Sequence, residues 1–331
     1  MRWGRAIASA ALAIAILGAA GAAWFLYAVF AERARPAAST DVLIERGSTF
    51  AQVARRLYDA GVIGNVASFR ILARLRDQEG SVRAGEYRFE PHGTQNDVLR
   101  ALVTGGAQVA AWVTIPEGFT AAQIAARLES AGLGPSDAFL REFQRRRLTV
   151  DGARTRSLEG FLFPSTYLVP LGDSPSQVAG MMVAEFFTVL PRDAGFRARS
   201  LHVTVPQAVT VASLVEREAK READRPRIAG VIYNRLRIGM PLQVDATIEY
   251  TLPEHKAELS LRDLRVDSPY NTYSHPGLPP TPIANPGRPS LEAALHPSKG
   301  NELYYVYCGN GRHVFAETLA AHQANVARCL H

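Results

Sequence analysis

The chain has 331 residues, 47% of them hydrophobic, so it is long enough to bury a core in more than one domain and is not a disordered protein. Its formal net charge is +6, carried almost wholly by arginine because Lys220, Lys256 and Lys299 are the only lysines. The arginines are scattered and no zinc-finger, RRM or basic-zipper pattern occurs, which argues against nucleic acid as a partner. Two cysteines, Cys308 and Cys329, exclude a disulfide-rich scaffold, and the sequence leaves open whether they pair or stay free thiols.

The first predicted element is an N-terminal membrane anchor. Residues 6 to 31 form an uncharged run of 26 residues, whereas about 20 suffice to cross the hydrocarbon core of a bilayer. A cleaved signal peptide is the alternative, although its apolar region would span only about 7 to 15 residues. Two arginines precede the run and two follow it beside Glu32, so the positive-inside rule weakly favours a cytoplasmic N-terminus with the remainder outside.

An internal repeat follows a short linker at 35–40. Residues 44–63 return as residues 115–133, and the positions that are identical at an offset of 71 include Gly47, Gln52, Leu57, Ala60 and Gly61. Each copy predicts a strand, a glycine turn and a helix that ends at a glycine. A third, looser copy spans residues 93–106, after a short strand at 84–89. Such units resemble LysM-like carbohydrate-binding modules, although the pattern alone favours a generic small α/β packing module.

The middle of the chain predicts mostly structural elements. Residues 137–147 predict a polar, arginine-rich helix, and residues 177–190 predict an amphipathic helix. Between them, residues 157–170 form an apolar segment bounded by proline, with Glu159 as its one acid. We expect its aromatic residues to lie in the core.

The stretch from 209 to 250 concentrates the candidate chemistry. On a helix, Glu218 shares the apolar face of Val211, Leu214 and Val215, whereas Glu216 lies about 200° away and is expected to be solvated and ion-paired. Burial disfavours a charged carboxylate and raises its pKa, which suits a general acid. The alternative is a Glu218 that pairs with a nearby arginine on a partly wet helix.

A second helix and a hairpin are predicted beyond Glu218. We expect the first helix to end near Glu222 and the next to start at Asp224 as its cap, with Pro226 in its first turn and Gly239 at its end. Strands at 303–308 and 313–315 are joined by a Gly-Asn-Gly turn typical of a hairpin. The loop at 264–289 is too long for simple packing and favours a binding role.

Motifs for cofactor or metal chemistry are missing from the sequence. It contains no GxSxG elbow, no HExxH, no P-loop and no dinucleotide-binding fingerprint. His313 and His322 lie on separate predicted elements, so we expect structural roles for them rather than metal ligation.

Six segments, taken in order, resemble the MltG (YceG-like) family of endolytic murein transglycosylases. They are ASLVEREA with Glu218, DRPRIAGVIYNRLRIGMPLQVDATIEY, PYNTY, GLPPTPIANPG, ALHPSKGNELYYV and HVFAETLAAH. The resemblance covers nearly the whole chain. Ser165, Ala246 and Gln323 depart from the family pattern, which puts fine substrate contacts in doubt but leaves Glu218 untouched.

The resemblance implies an α+β protein with an N-terminal transmembrane helix, a small LysM-like α/β subdomain and a mixed α+β catalytic domain. We divide it into an anchor at 1–35, a LysM-like subdomain at 36–112, the second repeat copy with connecting structure at 113–200, and a transglycosylase region at 201–331. We predict that the PYNTY loop lines the glycan cleft because it presents stacking and hydrogen-bonding groups. The predicted substrate-binding residues are Gln243, Asp245, Tyr270, Asn271, Tyr273 and Glu159.

The family resemblance also implies a mechanism, with Glu218 as the catalytic acid and then base. It would cleave the MurNAc–GlcNAc bond of nascent glycan strands, leave 1,6-anhydro-MurNAc ends and so terminate strand elongation, with no cofactor and no metal. The implied setting is the inner membrane, crossed once, with the catalytic part in the periplasm beside peptidoglycan synthases. Two rivals stay open: a non-catalytic glycan-binding protein, and a muramidase with a second carboxyl from Asp245, Glu159 or Glu222.

Overall fold

The computed structural model describes residues 2–31, 33–34, 38–45, 47–252, 256 and 259–329. The chain divides into two compact units, the first formed by Met1–Ala111 with Leu168–Asp173 and the second by Trp112–Tyr167 with Ser174–His331. Apart from Leu168–Asp173, the second unit includes both the 113–200 part and the 201–331 part of the predicted division. That finer boundary remains a prediction.

The first unit begins with the long apolar helix. Its helices are α1 (Arg2–Phe30), α2 (Phe50–Asp59), α3 (Val66–Leu75) and α4 (Gln95–Thr104), and its strands are β1 (Arg33–Ala34), β2 (Thr40–Ile44), β3 (Gly85–Phe89) and β4 (His92–Gly93). Within α1, the 21 residues Ala10–Phe30 are long and apolar enough to cross a membrane. This agrees with the predicted anchor helix.

Capping and strand pairing explain the rest of the first unit. Thr49 and Thr94 each close a reciprocal capping box at the start of α2 and α4. Strands β2 and β3 pair antiparallel, with Val42 opposite Tyr87. Their inward side chains join those of α2, α3 and α4 in one core.

The predicted repeat is a real structural repeat. Its second copy folds as β5 (Ala110–Thr114) and α5 (Ala121–Ser130), and Thr120 builds the same capping box as Thr49. Gly47 and Gly118 both have φ +77°, a left-handed conformation that glycine adopts without strain. The strand, glycine turn and helix predicted for each copy are thus confirmed.

The second unit is mainly helical. Its further helices are α6 (Ser136–Arg145), α7 (Pro175–Val189), α8 (Ala194–Ser200), α9 (Val205–Glu218), α10 (Arg225–Arg237), α11 (Asp245–Glu249), α12 (Arg288–Leu295) and α13 (Leu319–Cys329), with short 3₁₀ turns at Glu222–Asp224 and Asp263–Arg265. Its strands are β6 (Thr149–Val150), β7 (Ala153–Arg154), β8 (Thr166–Pro170), β9 (Tyr304–Tyr307) and β10 (His313–Ala316). The strands pair as β5 with β8, β6 with β7 and β9 with β10.

Helix α9 is the centre of this unit, since α8, α10, α11 and α12 all pack against it. A capping box at Thr204 starts it, and every residue from Ala208 to Val215 is buried. The prediction that it reaches Glu222 is wrong, because Glu218 is its last residue and Ala219 is extended. Asp224 stands at the cap position of α10 but makes no side-chain cap bond, because its carboxylate accepts from His313 instead.

The predicted hairpin is confirmed as β9 and β10, with His313 opposite Tyr307. Gly309, Asn310 and Gly311 all have positive φ in the turn. The pairing of the cysteines, left open by the sequence, is decided here: Cys308 and Cys329 form a disulfide that joins the end of β9 to α13.

Candidate active site

The predicted general acid, Glu218, lies at the last position of the buried central helix. The residue as a whole is half-buried, and the packing around its carboxyl removes most of the water. This burial is the main reason that the pKa of Glu218 rises from 4.5 to about 7. Near neutral pH, both the acid form and the base form of Glu218 are therefore populated.

A tyrosine holds the carboxyl in place. Tyr305 on β9 donates its phenolic hydrogen to Glu218 Oε2 across 2.9 Å. This bond favours the carboxylate and lowers the pKa of Glu218, in opposition to the effect of burial. The same burial and the charge of Glu218 raise the pKa of Tyr305 well above 10, so it stays a donor.

Asp245 and Tyr273 belong to the same constellation. The charge of Asp245, at the start of α11, raises the pKa of Glu218, and Tyr273 donates a hydrogen bond to Asp245. The charge of Glu218 in turn contributes to the raised pKa of Tyr273. Two of the predicted substrate-binding residues thus lie beside the predicted acid.

Two further residues, Gln243 and Arg235, lie on the segments that carry Asp245 and Tyr305 or hold them in place. Gln243 is exposed two residues before Asp245, with φ +53°, a strained conformation for a side-chain-bearing residue of the kind that clusters at functional sites. Buried Arg235 donates to the carbonyls of Leu303 and Leu242 at 2.7 and 2.6 Å. It thereby ties β9, which carries Tyr305, to the segment that leads into α11.

Glu216 differs from its prediction in one respect. Its ion pair is confirmed, since Arg225 lies 3.4 Å from Glu216 Oε1, but its side chain is only 7% exposed rather than solvated. Glu216 Oε2 also accepts from the Gly287 N–H at 3.0 Å. Neighbouring segments cover the side of α9 that carries Glu216, so this side chain is buried rather than exposed to water. Glu216 joins α9 to the start of α12.

Two residues of the PYNTY loop lie away from the predicted cleft position. Asn271 is 1% exposed, and its Nδ2 donates to the carbonyls of Leu264 and Val266. Its side chain therefore holds the loop together instead of facing a ligand. The Tyr270 hydroxyl bonds to Thr281 at 2.8 Å and its ring packs on Tyr250.

Glu159 is the hub of a separate buried network. Its carboxyl accepts from Ala121 N, Asn285 Nδ2 and the Tyr250 hydroxyl at 2.8 to 3.1 Å. It borders a cavity of about 430 Å³ whose lining does not include Glu218. Burial raises the pKa of Glu159 to about 7, yet the surrounding donors indicate that it ties α5 to the chain around Asn285 rather than serving as a second carboxyl beside Glu218.

Sequence reasoning missed Tyr305 and Arg235. Tyr305 lies in the predicted strand, but the run Tyr304–Tyr307 has no polar alternation to show which tyrosine points inward. Arg235 lies on α10 among other arginines, and only its 8% exposure distinguishes it from a surface cation. His313 has the structural role expected of it, since it is 7% exposed and bonded to Asp224.

Comparisons with known proteins show which family the chain resembles. Residues 42–328 match the YceG-like family. An endolytic murein transglycosylase of Bacillus subtilis is 33% identical over 301 residues, which cover 86% of this chain and 83% of the relative. One from Streptococcus pneumoniae is 31% identical over 321 residues, covering 86% of this chain and 57% of that longer protein.

A solved structure is also similar. The crystal structure of a yceG-like protein from Listeria monocytogenes matches with a TM-score of 0.58 and 31% identity. The match covers 86% of this chain and 98% of the Listeria chain. The similarity in fold therefore extends over most of both proteins.

Proposed function

Since the chain belongs to the YceG-like family, we propose that it is an endolytic murein transglycosylase, a lyase that cuts peptidoglycan glycan strands. The observation that carries the proposal is the raised pKa of Glu218, about 7, at an accessible helix end beside Tyr305. A single residue with both protonation states populated can act first as acid and then as base.

In the proposed reaction, protonated Glu218 gives its proton to the oxygen that links MurNAc to GlcNAc. The glycosidic bond breaks, and the developing positive charge on the sugar lies near the Asp245 carboxylate. Glu218, now a carboxylate, takes the proton of the MurNAc C6 hydroxyl as that oxygen bonds to C1. The product is a 1,6-anhydro-MurNAc end, and Glu218 regains its starting proton.

Asp245 also supports one rival reaction. A muramidase needs a second carboxyl near the acid, and Asp245 is the candidate whose charge acts on Glu218. Glu222 is exposed in a 3₁₀ turn, and Glu159 is committed to its own network. In the rival reaction, water attacks C1 and the product ends in a reducing sugar.

The proposed setting is the periplasmic side of the inner membrane, reached through α1. The apolar length of α1 supports a single-pass anchor, and the Cys308–Cys329 disulfide supports an oxidising compartment for the second unit. Nascent glycan strands and the peptidoglycan synthases that make them are the proposed partners. The role proposed for the first unit is LysM-like contact with glycan.

Product mass tests the proposed reaction. The purified full-length protein is incubated with uncrosslinked glycan, and the released ends are analysed by mass spectrometry. An anhydro end is one water lighter than a hydrolytic end, so transglycosylase and muramidase products separate cleanly. Reducing ends alone would replace the proposal with the muramidase, and unchanged glycan with intact binding would favour a non-catalytic glycan-binding protein.

A further inference from the structure

The C-terminal end of α1 is built into the core of the first unit. Ala28 and Val29 are 2% and 0% exposed, and Phe25 packs against the same core. Gln95 Nε2 donates to the Ala28 carbonyl at 2.8 Å, in the last turn of the helix, where carbonyls lack helical partners. Gln95 is itself buried and accepts from Ser68 Oγ on α3. The helix end is therefore fixed to the unit and is not a loose tether.

The packing of the end of α1 into this core determines how close the first unit lies to a membrane. Residues already buried in a protein core cannot also face lipid, so a span of about 20 residues has to end near Trp24. Trp24 and Tyr27 are 49% and 68% exposed, as aromatic residues at a bilayer interface are. Phe25 is thus both next to the interface and in contact with the unit. The bilayer surface and the first unit must meet at this point.

Helix α3 packs directly against α1. Its buried face holds Ser68, Phe69, Leu72 and Ala73. Its outer face instead carries two exposed aliphatic residues one turn apart, Ile71 at 45% and Leu75 at 72%. Arg70 and Arg74 lie one turn apart on one side of this pair, and no acidic residue lies within Val66–Leu75, although Arg74 forms an exposed ion pair with Glu79 at 3.5 Å. Exposed aliphatic groups beside arginines are typical of a helix that lies in the membrane interface.

We propose that this outer face of α3, formed by Arg70, Ile71, Arg74 and Leu75, lies in the headgroup layer of an anionic bilayer beside the anchor. Ile71 and Leu75 enter the boundary of the acyl chains, and the Arg70 guanidinium binds a lipid phosphate, joined by Arg74 when a phosphate replaces its exposed partner Glu79. The inference rests on the membrane anchoring proposed above, but not on the reaction at Glu218. It makes the first unit a membrane-contacting platform in addition to any glycan contact.

The test uses the full chain in phosphatidylcholine vesicles with and without phosphatidylglycerol. Leu75→Cys and, as a matched control, Tyr58→Cys on the exposed side of α2 are labelled with an environment-sensitive fluorophore; the native cysteines are protected in their disulfide. We expect the label at position 75 to emit at shorter wavelength and to be quenched several-fold more by nitroxide lipids than the label at 58. Phosphatidylglycerol should increase the difference, and Arg70→Gln with Arg74→Gln should reduce it.

Flotation separates the two ways in which the inference can fail. Vesicle flotation reports insertion of α1, and anhydro-product assays on the same samples report the reaction. If the protein floats and position 75 behaves like position 58 in both lipids, the α3 inference is overturned while the anchor stands. If the protein does not float, anchor and inference fall together, whatever the outcome of the glycan assay.

Discussion

The phenolic hydroxyl of Tyr305 donates to Glu218 Oε2 at 2.9 Å, so a residue of the C-terminal hairpin holds the carboxyl at the end of the central helix. The bond lowers the pKa of Glu218, whereas burial and the charge of Asp245 raise it. The working pKa of about 7 is the balance of these opposing effects. The Tyr305 hydrogen bond and the Asp245 charge can each be removed by a single substitution.

Tyr305→Phe and Asp245→Asn should move the pH profile of kcat/KM in opposite directions. The acid form of Glu218 starts the reaction, so kcat/KM falls as the pH rises through its pKa. Losing the Tyr305 bond disfavours the carboxylate and moves that limb to higher pH, while losing the Asp245 charge moves it to lower pH. Tyr305→Phe should also lower kcat by about 2- to 12-fold, the equivalent of one ordinary hydrogen bond. Shifts of the same sign would contradict this account.

Glu218→Gln and Glu216→Gln should separate catalysis from stability. Glu218→Gln can neither give nor take a proton and should lose about 10²-fold or more in rate. Glu216→Gln should keep its activity per folded molecule but lose about 1–3 kcal/mol of unfolding free energy, because Arg225 and Gly287 N–H lose a buried carboxylate. Anhydro-product assays and urea unfolding of both variants measure this. An inactive Glu216→Gln beside an active Glu218→Gln would reverse the assignment.

The same Glu218→Gln variant should alter how stability depends on pH. The folded pKa of Glu218 is raised from 4.5 to about 7, so its contribution is fully present below pH 4.5 and is lost as the pH rises through 7. Glu218→Gln removes this loss. The variant should therefore gain in melting temperature relative to the wild type between pH 5 and pH 8, and calorimetry at both values checks it. A constant difference across that range would contradict the raised pKa.

Asn271→Ala should lower thermal stability, whereas Gln243→Ala should weaken substrate binding. Asn271→Ala removes a buried amide and leaves the half-buried carbonyls of Leu264 and Val266 without their donor, so it should lower the melting temperature clearly. Exposed Gln243→Ala should leave the melting temperature within about 1 °C, since surface changes cost little, and should raise KM. Thermal unfolding with steady-state kinetics on the same glycan distinguishes them. An Asn271→Ala variant with unchanged melting temperature and raised KM would show instead that the Asn271 amide contacts the glycan.

Reduction of the disulfide should destabilise the second unit. Cys308 and Cys329 are 21 residues apart, and closing a loop of that size stabilises the folded state by about 3 kcal/mol on chain-entropy grounds. Urea unfolding with and without dithiothreitol should show this loss in the wild type. The double variant Cys308→Ser with Cys329→Ser, already lacking the bond, should not respond to the reductant. An equal response in both proteins would point to another target of the reductant.

The features that the sequence predicted correctly are those set by interactions between neighbouring residues. The long apolar N-terminal helix, the repeated strand–turn–helix unit and the Gly-Asn-Gly hairpin were all predictable, because uncharged length, capping residues and left-handed turn positions act over a few neighbouring residues. Glu218 stood out for a related reason, since a carboxyl among aliphatic residues on one helix face signals a costly burial. These features depend on spacing alone.

Long-range packing decided the rest. Whether Glu216 is wet or buried depends on α12, about 70 residues further on, and Tyr305 reaches Glu218 across 87 positions of sequence. Asn271 looked like a ligand-binding amide until the fold supplied Leu264 and Val266 as its acceptors. The sequence pattern around a polar side chain is the same whether that side chain bonds to the protein or to a ligand. Only the tertiary structure supplies the partners, because those partners come from elements that no local pattern connects.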